Sequence, residues 1–200
     1  MICMDNWLYN TLYYILRPVF RLAYGRRVRG MENIPSVGGF VLCSNHMSVL
    51  DPLFIASALP RTKRLYYLGK KELFENRLLN WAIPKLGGIP VDRGHADLTA
   101  IRTSLQVVKE GYGLCIFPQG TRSRDNTRTP MLTGASMIAL RCNVPVVPVY
   151  IDGPYRLFRR TEIRFGKPLD LSVFGRRCDQ EVLNRATAMI DDAVWAMKDI

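Results

Sequence analysis

The stretch FVLCSNHMSVLDP, residues 40–52, decides how the rest of the chain is read. Phe40-Val-Leu-Cys-Ser44 is a short apolar run, the pattern of a buried strand. It passes straight into the polar pair Asn45-His46. Ser48 and Asp51 then have capping-box spacing, so Ser48 could start a helix with Asp51 in its first turn. Pro52 is tolerated there because first-turn N–H groups have no intrahelical partner. A helix is predicted from about Ser48 to Leu59, stopped by Pro60. Strand, polar loop and helix in that order set the expectation of an α/β fold.

Toward the C-terminus the same alternation continues. Strands are predicted at 64–69, 87–94, 113–117, 144–151 and 162–166. The two prolines of VPVVPVYI (144–151) require irregular or edge pairing near them. Helices are predicted at 72–86 (interrupted near Pro84), 95–110, 134–142 and 179–198. Toward the N-terminus, residues 7–24 read as a helix with Leu8, Leu12, Ile15, Val19 and Leu22 on one face. Trp7 and several tyrosines lie along it, and Arg17, Arg21, Arg26, Arg27 and Arg29 place positive charge along and just after it. Arg17 and Pro18 make spanning a bilayer unattractive and lying in its interface attractive. The expected organisation is an interfacial membrane-binding helical arm over 1–26 and a single α/β domain over 27–200. Its sheet is expected to be mixed, largely parallel and flanked by helices.

The chain has 200 residues, 48% of them hydrophobic, which suffices for one sizeable core. No apolar run approaches the ~20 residues needed to span a bilayer. The net charge of +11 implies an anionic partner. Nucleic acid is disfavoured, because no RNP-like, zinc-finger or helix-turn-helix pattern occurs. The five cysteines form no CxxC pair, which fits a reducing compartment better than a disulfide framework. With two histidines and no cysteine cluster, a His/Cys metal centre has few possible ligands, and none is expected.

Three predicted strands end in polar loops: Asn45-His46-Met47-Ser48, Asp92-Arg93-Gly94 and Pro118-Gln119-Gly120-Thr121-Arg122-Ser123. In open α/β sheets, ligands bind outside the carboxyl ends of strands. If these strands are parallel, one crevice gathers His46, Arg93 and Arg122, a base with two cations suited to a phosphorylated substrate. His46 could fold back so that one ring nitrogen meets Asp51, fixing the tautomer and freeing the other nitrogen to take a proton. Spacing alone leaves a second reading open, in which Asp51 only caps the helix and His46 is an ordinary loop residue.

These blocks resemble those of the 1-acylglycerol-3-phosphate O-acyltransferase (PlsC-like) family. Asn45-His46-Met-Ser-Val-Leu-Asp51-Pro52 resembles its HxxxxD block. Gly88-Ile-Pro-Val-Asp92-Arg93-Gly94, Phe117-Pro118-Gln119-Gly120-Thr121-Arg122-Ser123 and Val144-Pro145-Val-Val-Pro148-Val149 resemble the next three, in order. The resemblance implies acyl transfer from acyl-CoA or acyl-carrier protein to lysophosphatidic acid. It makes His46 the general base and Asp51 its partner. Substrate contacts fall to Arg93, Gly120, Thr121 and Arg122, with Asn45, Ser48 and Gln119 beside them. No cofactor beyond the thioester co-substrate is implied. The expected setting is peripheral, on anionic lipid at the cytoplasmic face of a membrane. Two departures stand out: Gln119 replaces the glutamate of FPEGTR, and Leu132-Thr133 stand where a lysine is usual before Gly134. Another lysolipid acceptor, or a non-catalytic lipid-binding protein of this fold, remains open.

Overall fold

Side chains alternate along the strand at Phe40–Ser44, and the alternation divides the core into two layers. The computed structural model describes residues 6–92, 97–123, 125–153, 155–175 and 178–199. Phe40 and Leu42 enter one buried cluster with Phe54, Leu59, Leu65, Val149 and Phe165. Val41 and Cys43 enter the other, with Val107, Leu114, Ile138, Ala186 and Ile190.

Among the described residues seven strands form one sheet: β1 (Arg27–Arg29), β2 (Phe40–Ser44), β3 (Leu65–Lys70), β4 (Gly88–Val91), β5 (Gly113–Ile116), β6 (Val146–Asp152) and β7 (Glu162–Phe165). Their order is β1-β7-β6-β2-β5-β3-β4. β6, β2, β5, β3 and β4 run parallel, so their carboxyl ends share one edge. β7 is antiparallel to β6, and β1 is parallel to β7. The expected mixed, largely parallel sheet is therefore present. The helices are α1 (Asn6–Ala23), α2 (Asp51–Ala58), α3 (Arg77–Lys85), α4 (Leu98–Lys109), α5 (Gly134–Cys142) and α6 (Gln180–Trp195). Phe20 of α1 and Phe54 of α2 lie in the Phe40 layer, and residues of α4, α5 and α6 lie in the Val41 layer.

Several boundaries differ from expectation, each for a local reason. α2 begins at Asp51 rather than Ser48, because the Asp51 carboxylate turns back onto the Met47 and Ser48 N–H groups while the Ser48 hydroxyl accepts only from Leu50. The segment 72–86 divides into a 3-10 turn (Lys71–Phe74) and α3, because the Asn76 side chain caps a new start by accepting from Leu78 and Leu79 N–H. β1 was not anticipated; it has three residues, two of them exposed arginines. Pro148 sits in an interior strand. Its carbonyl accepts from Gly166 at 2.8 Å, so its missing N–H falls on the β7 side, just where β7 ends. A Cβ on Gly166 would lie 2.8 Å from the Pro148 ring, so glycine permits this close approach.

α1 is seated on the domain through Tyr9, Tyr13 and Phe20, all buried. The Tyr13 hydroxyl donates to the Leu59 carbonyl at 3.2 Å. The stripe expected to insert into lipid lies one position round the helix. Ile15 is 53%, Val19 45% and Leu22 77% exposed. α1 therefore has two apolar stripes, one packed and one exposed from Ile15 onward, while Leu8 and Leu12 of the expected stripe are half-buried. No helix among the described residues is long and apolar enough to cross a membrane.

Candidate active site

At the carboxyl end of β2, the His46 Nδ1 meets Asp51 Oδ2 at 2.7 Å. The same oxygen accepts the backbone N–H groups of Met47 at 2.7 Å and Ser48 at 2.9 Å. The other carboxylate oxygen accepts the Tyr155 hydroxyl at 2.6 Å. Oδ2 acts as an acceptor toward the two backbone groups, so the His46 nitrogen facing it is the donor, Nδ1–H. That tautomer leaves Nε2 with a lone pair. Asp51 is fully buried, while the His46 side chain keeps 12% of its surface in solvent. The arrangement is a held base with an oriented ring, and it answers the question that spacing left open: Asp51 caps the loop and also grips the histidine.

The loop after β5 closes over His46. Gln119 Oε1 accepts the His46 N–H at 3.1 Å, and the His46 carbonyl accepts the Ser123 N–H at 2.8 Å. The Phe117 ring stacks on the imidazole with centroids 4.2 Å apart. Arg122 therefore stands one residue from a direct backbone contact with His46. Thr121 and Arg122 are exposed, and Arg122 has no ion pair or hydrogen bond among the described residues. Gly120 has φ 70°, the left-handed region that glycine enters without strain. Gln119 Nε2 is buried with no partner among the described residues. Arg93 and Gly94 lie outside the described residues.

Two placements were not legible beforehand. Asn45, expected to contact substrate, is spent inside the protein and fully buried. Its amide donates to the Ile151 carbonyl at 2.9 Å and to Asn126 Oδ1 at 3.0 Å, and its Oδ1 accepts the Ile151 N–H at 2.8 Å. Asn126 donates onward to the Tyr150 hydroxyl at 2.7 Å. This chain of amides ties the β5 loop to β2 and β6 beneath the His/Asp pair. Arg128 secures the far part of the loop by pairing with Asp191 and Asp192 of α6. Tyr155, just past β6, was missed altogether. Burial, with Asp51 beside it, pushes its hydroxyl far above the ordinary phenol range, so it stays a donor. Among the described residues no group of three or more His, Cys, Asp or Glu is placed to hold a metal. The Cys43 and Cys115 thiols are buried in β2 and β5 and pushed up by desolvation, as inert core groups are.

The acyltransferase family model matches residues 25–152. This chain belongs to the acyltransferase family. It is 30% identical over 190 residues to the 1-acyl-sn-glycerol-3-phosphate acyltransferase of Bacillus subtilis, covering 92% of this chain and 94% of that protein. It is 31% identical over 149 residues to the enzyme of the same name from Streptococcus pneumoniae, covering 72% of this chain and 54% of that one. The crystal structure of the 1-acyl-sn-glycerophosphate (LPA) acyltransferase PlsC from Thermotoga maritima superposes with a TM-score of 0.71 at 26% identity. That match covers 94% of this acyltransferase and 78% of PlsC. The matched span contains His46, Asp51, the Gln119–Arg122 loop and all of β6.

Proposed function

We propose that this acyltransferase moves a fatty acyl group from acyl-CoA or acyl-carrier protein to the free hydroxyl of 1-acylglycerol-3-phosphate, giving phosphatidic acid. The observation that carries the reading is the 2.7 Å contact between His46 Nδ1 and the buried Asp51 carboxylate. His46 Nε2 takes the hydroxyl proton as the acceptor oxygen bonds to the thioester carbonyl carbon. The tetrahedral intermediate collapses, the C–S bond breaks, and the proton passes from His46 to the departing thiolate. The thioester is already activated, so the step calls for no further cofactor.

Arg122, with Gly120 and Thr121, holds the acceptor's phosphate in this reading, and Arg93 assists. Support comes from the exposed Arg122 next to Ser123, whose N–H reaches the His46 carbonyl, from the net charge of +11 and from the names of the relatives. The protein sits peripherally on anionic lipid at the cytoplasmic face, with the outer stripe of α1 as an anchor. The test is a mass-spectrometric acyl-transfer assay with both thioester donors and a panel of lysolipid acceptors. Transfer to lysophosphatidate is expected; transfer to none of the panel refutes the reading. Arg122→Ala should lower kcat/KM for phosphate-bearing acceptors by roughly 1.5–3 kcal/mol and leave the donor KM unchanged. Equal losses for a phosphate-free acceptor would refute the phosphate role.

A further inference from the structure

Between β6 and β7 the chain turns back through Tyr155-Arg156-Leu157-Phe158-Arg159-Arg160. Leu157 is 62% exposed and Phe158 87%. Phe158 also has φ 60°, the left-handed region that a bulky side chain avoids. A conformation this costly persists only where its surroundings dictate it. Here they do. The Phe158 N–H donates to the Ala23 carbonyl at 2.6 Å, the Thr161 N–H to the Tyr24 carbonyl at 3.0 Å, and the Arg159 N–H to the Arg156 carbonyl at 3.1 Å. The loop is thus pinned to the last turn of α1 with its aromatic ring held out in water. Arg156, Arg159 and Arg160 surround that ring in sequence, and none meets a carboxylate among the described residues.

We propose that this loop is a second lipid-docking element, in which Leu157 and Phe158 enter the acyl boundary of an anionic bilayer and the three arginines lie among its headgroup phosphates. Apolar tips flanked by cations suit an anionic interface better than an uncharged one. Leu22, 77% exposed at the end of α1, immediately precedes Ala23, to which the loop is pinned. The root of the loop is Tyr155, whose hydroxyl reaches Asp51. The loop therefore leaves the same sheet edge on which His46 stands, and docking through it brings a lipid surface to the catalytic edge. The proposal rests on the reading that the acceptor is drawn from a lipid surface, and it adds a contact independent of the α1 stripe.

Flotation of the full chain with phosphatidylcholine vesicles, with and without phosphatidylglycerol, tests this without any acyl donor. Leu157→Ser with Phe158→Ser should weaken partitioning onto phosphatidylglycerol vesicles about tenfold or more, at an unchanged Tm. Arg156→Gln, Arg159→Gln and Arg160→Gln together should remove most of the preference for phosphatidylglycerol and flatten the salt dependence. A wild-type partition coefficient in the double serine variant overturns the proposal, even if α1 variants release the protein. A site-specific reading guards against an unfolded variant. Phe158→Trp, placed in a Trp7→Phe, Trp81→Phe background, should be quenched by lipids brominated in their acyl chains, and absence of quenching overturns the proposal. Binding without any acyl transfer by the wild type would instead refute the catalytic reading and leave the docking result standing.

Discussion

Oδ2 of Asp51 accepts three N–H groups at once, so this carboxylate shapes a backbone turn and aims the His46 ring together. The two duties separate by substitution. His46→Ala removes only the base, and transfer should fall on the order of 10²–10⁴-fold with Tm unchanged. Asp51→Asn presents an amide where donors already converge, so it should cost a comparable factor in rate and lower Tm as well. Activity of His46→Ala within threefold of wild type would remove the base assignment. Gln119 sits against the same turn with its Nε2 unpartnered among the described residues. A carboxylate can accept the His46 N–H as the amide does, and it removes the orphaned donor. Gln119→Glu should therefore fold and keep or raise its rate, by up to ~10-fold or ~1.4 kcal/mol. A dead variant would mean that this loop uses the amide N–H as a donor.

At the scale of the elements, α4 starts where the Asp97 side chain accepts from the Thr99 N–H at 3.0 Å and the Ala100 N–H at 2.9 Å. Asp97→Ala should cost about 1 kcal/mol in urea unfolding. These backbone N–H groups, Ala100 first, hold the Asp97 carboxyl below its ordinary value. A depressed folded value gives stability that is present above the unfolded carboxylate pKa and is lost as pH falls through the folded one. The gap between wild type and Asp97→Ala should accordingly close in acid, and a gap constant from pH 7 to 2 would refute the cap. The strands and most helices were legible because each is written in a local pattern, as FVLCS and GLCIF are. The Asn76 cap that divides 72–86 was overlooked, and β1 depends on a partner far along the chain. His46 and Asp51 were legible because a five-residue spacing spans one turn. Tyr155 was not, since it meets Asp51 from 104 residues away and nothing near it marks the contact. Asn45 misled because a polar residue after a strand looks alike whether it faces a ligand or, as here, Asn126 and Ile151.

For the whole molecule, deleting residues 1–24 is a poor test of lipid binding, because it also removes Tyr9, Tyr13 and Phe20 from the core. Exchanging only the outer stripe is cleaner. Ile15→Ser, Val19→Ser and Leu22→Ser should preserve Tm while weakening retention on anionic vesicles. The residual binding should weaken further as salt rises, because it is electrostatic. Retention equal to wild type in sedimentation would refute the anchor. The pairing of β1 with β7 has another consequence, one of timing. Arg27 pairs in register with Glu162, and the Ala23 and Tyr24 carbonyls accept from the Phe158 and Thr161 N–H groups. Tyr13 and Phe20 can settle early on Leu59 and Phe54, but the end of α1 cannot be fixed until β7 has been made. The entropy of that closure is lost before its contacts repay it, so the fastening of the end of α1 should be a late and slow event in folding. Until then the end of α1, with Leu22 exposed, stands unfastened, and a nearby bilayer would meet it before β7 does.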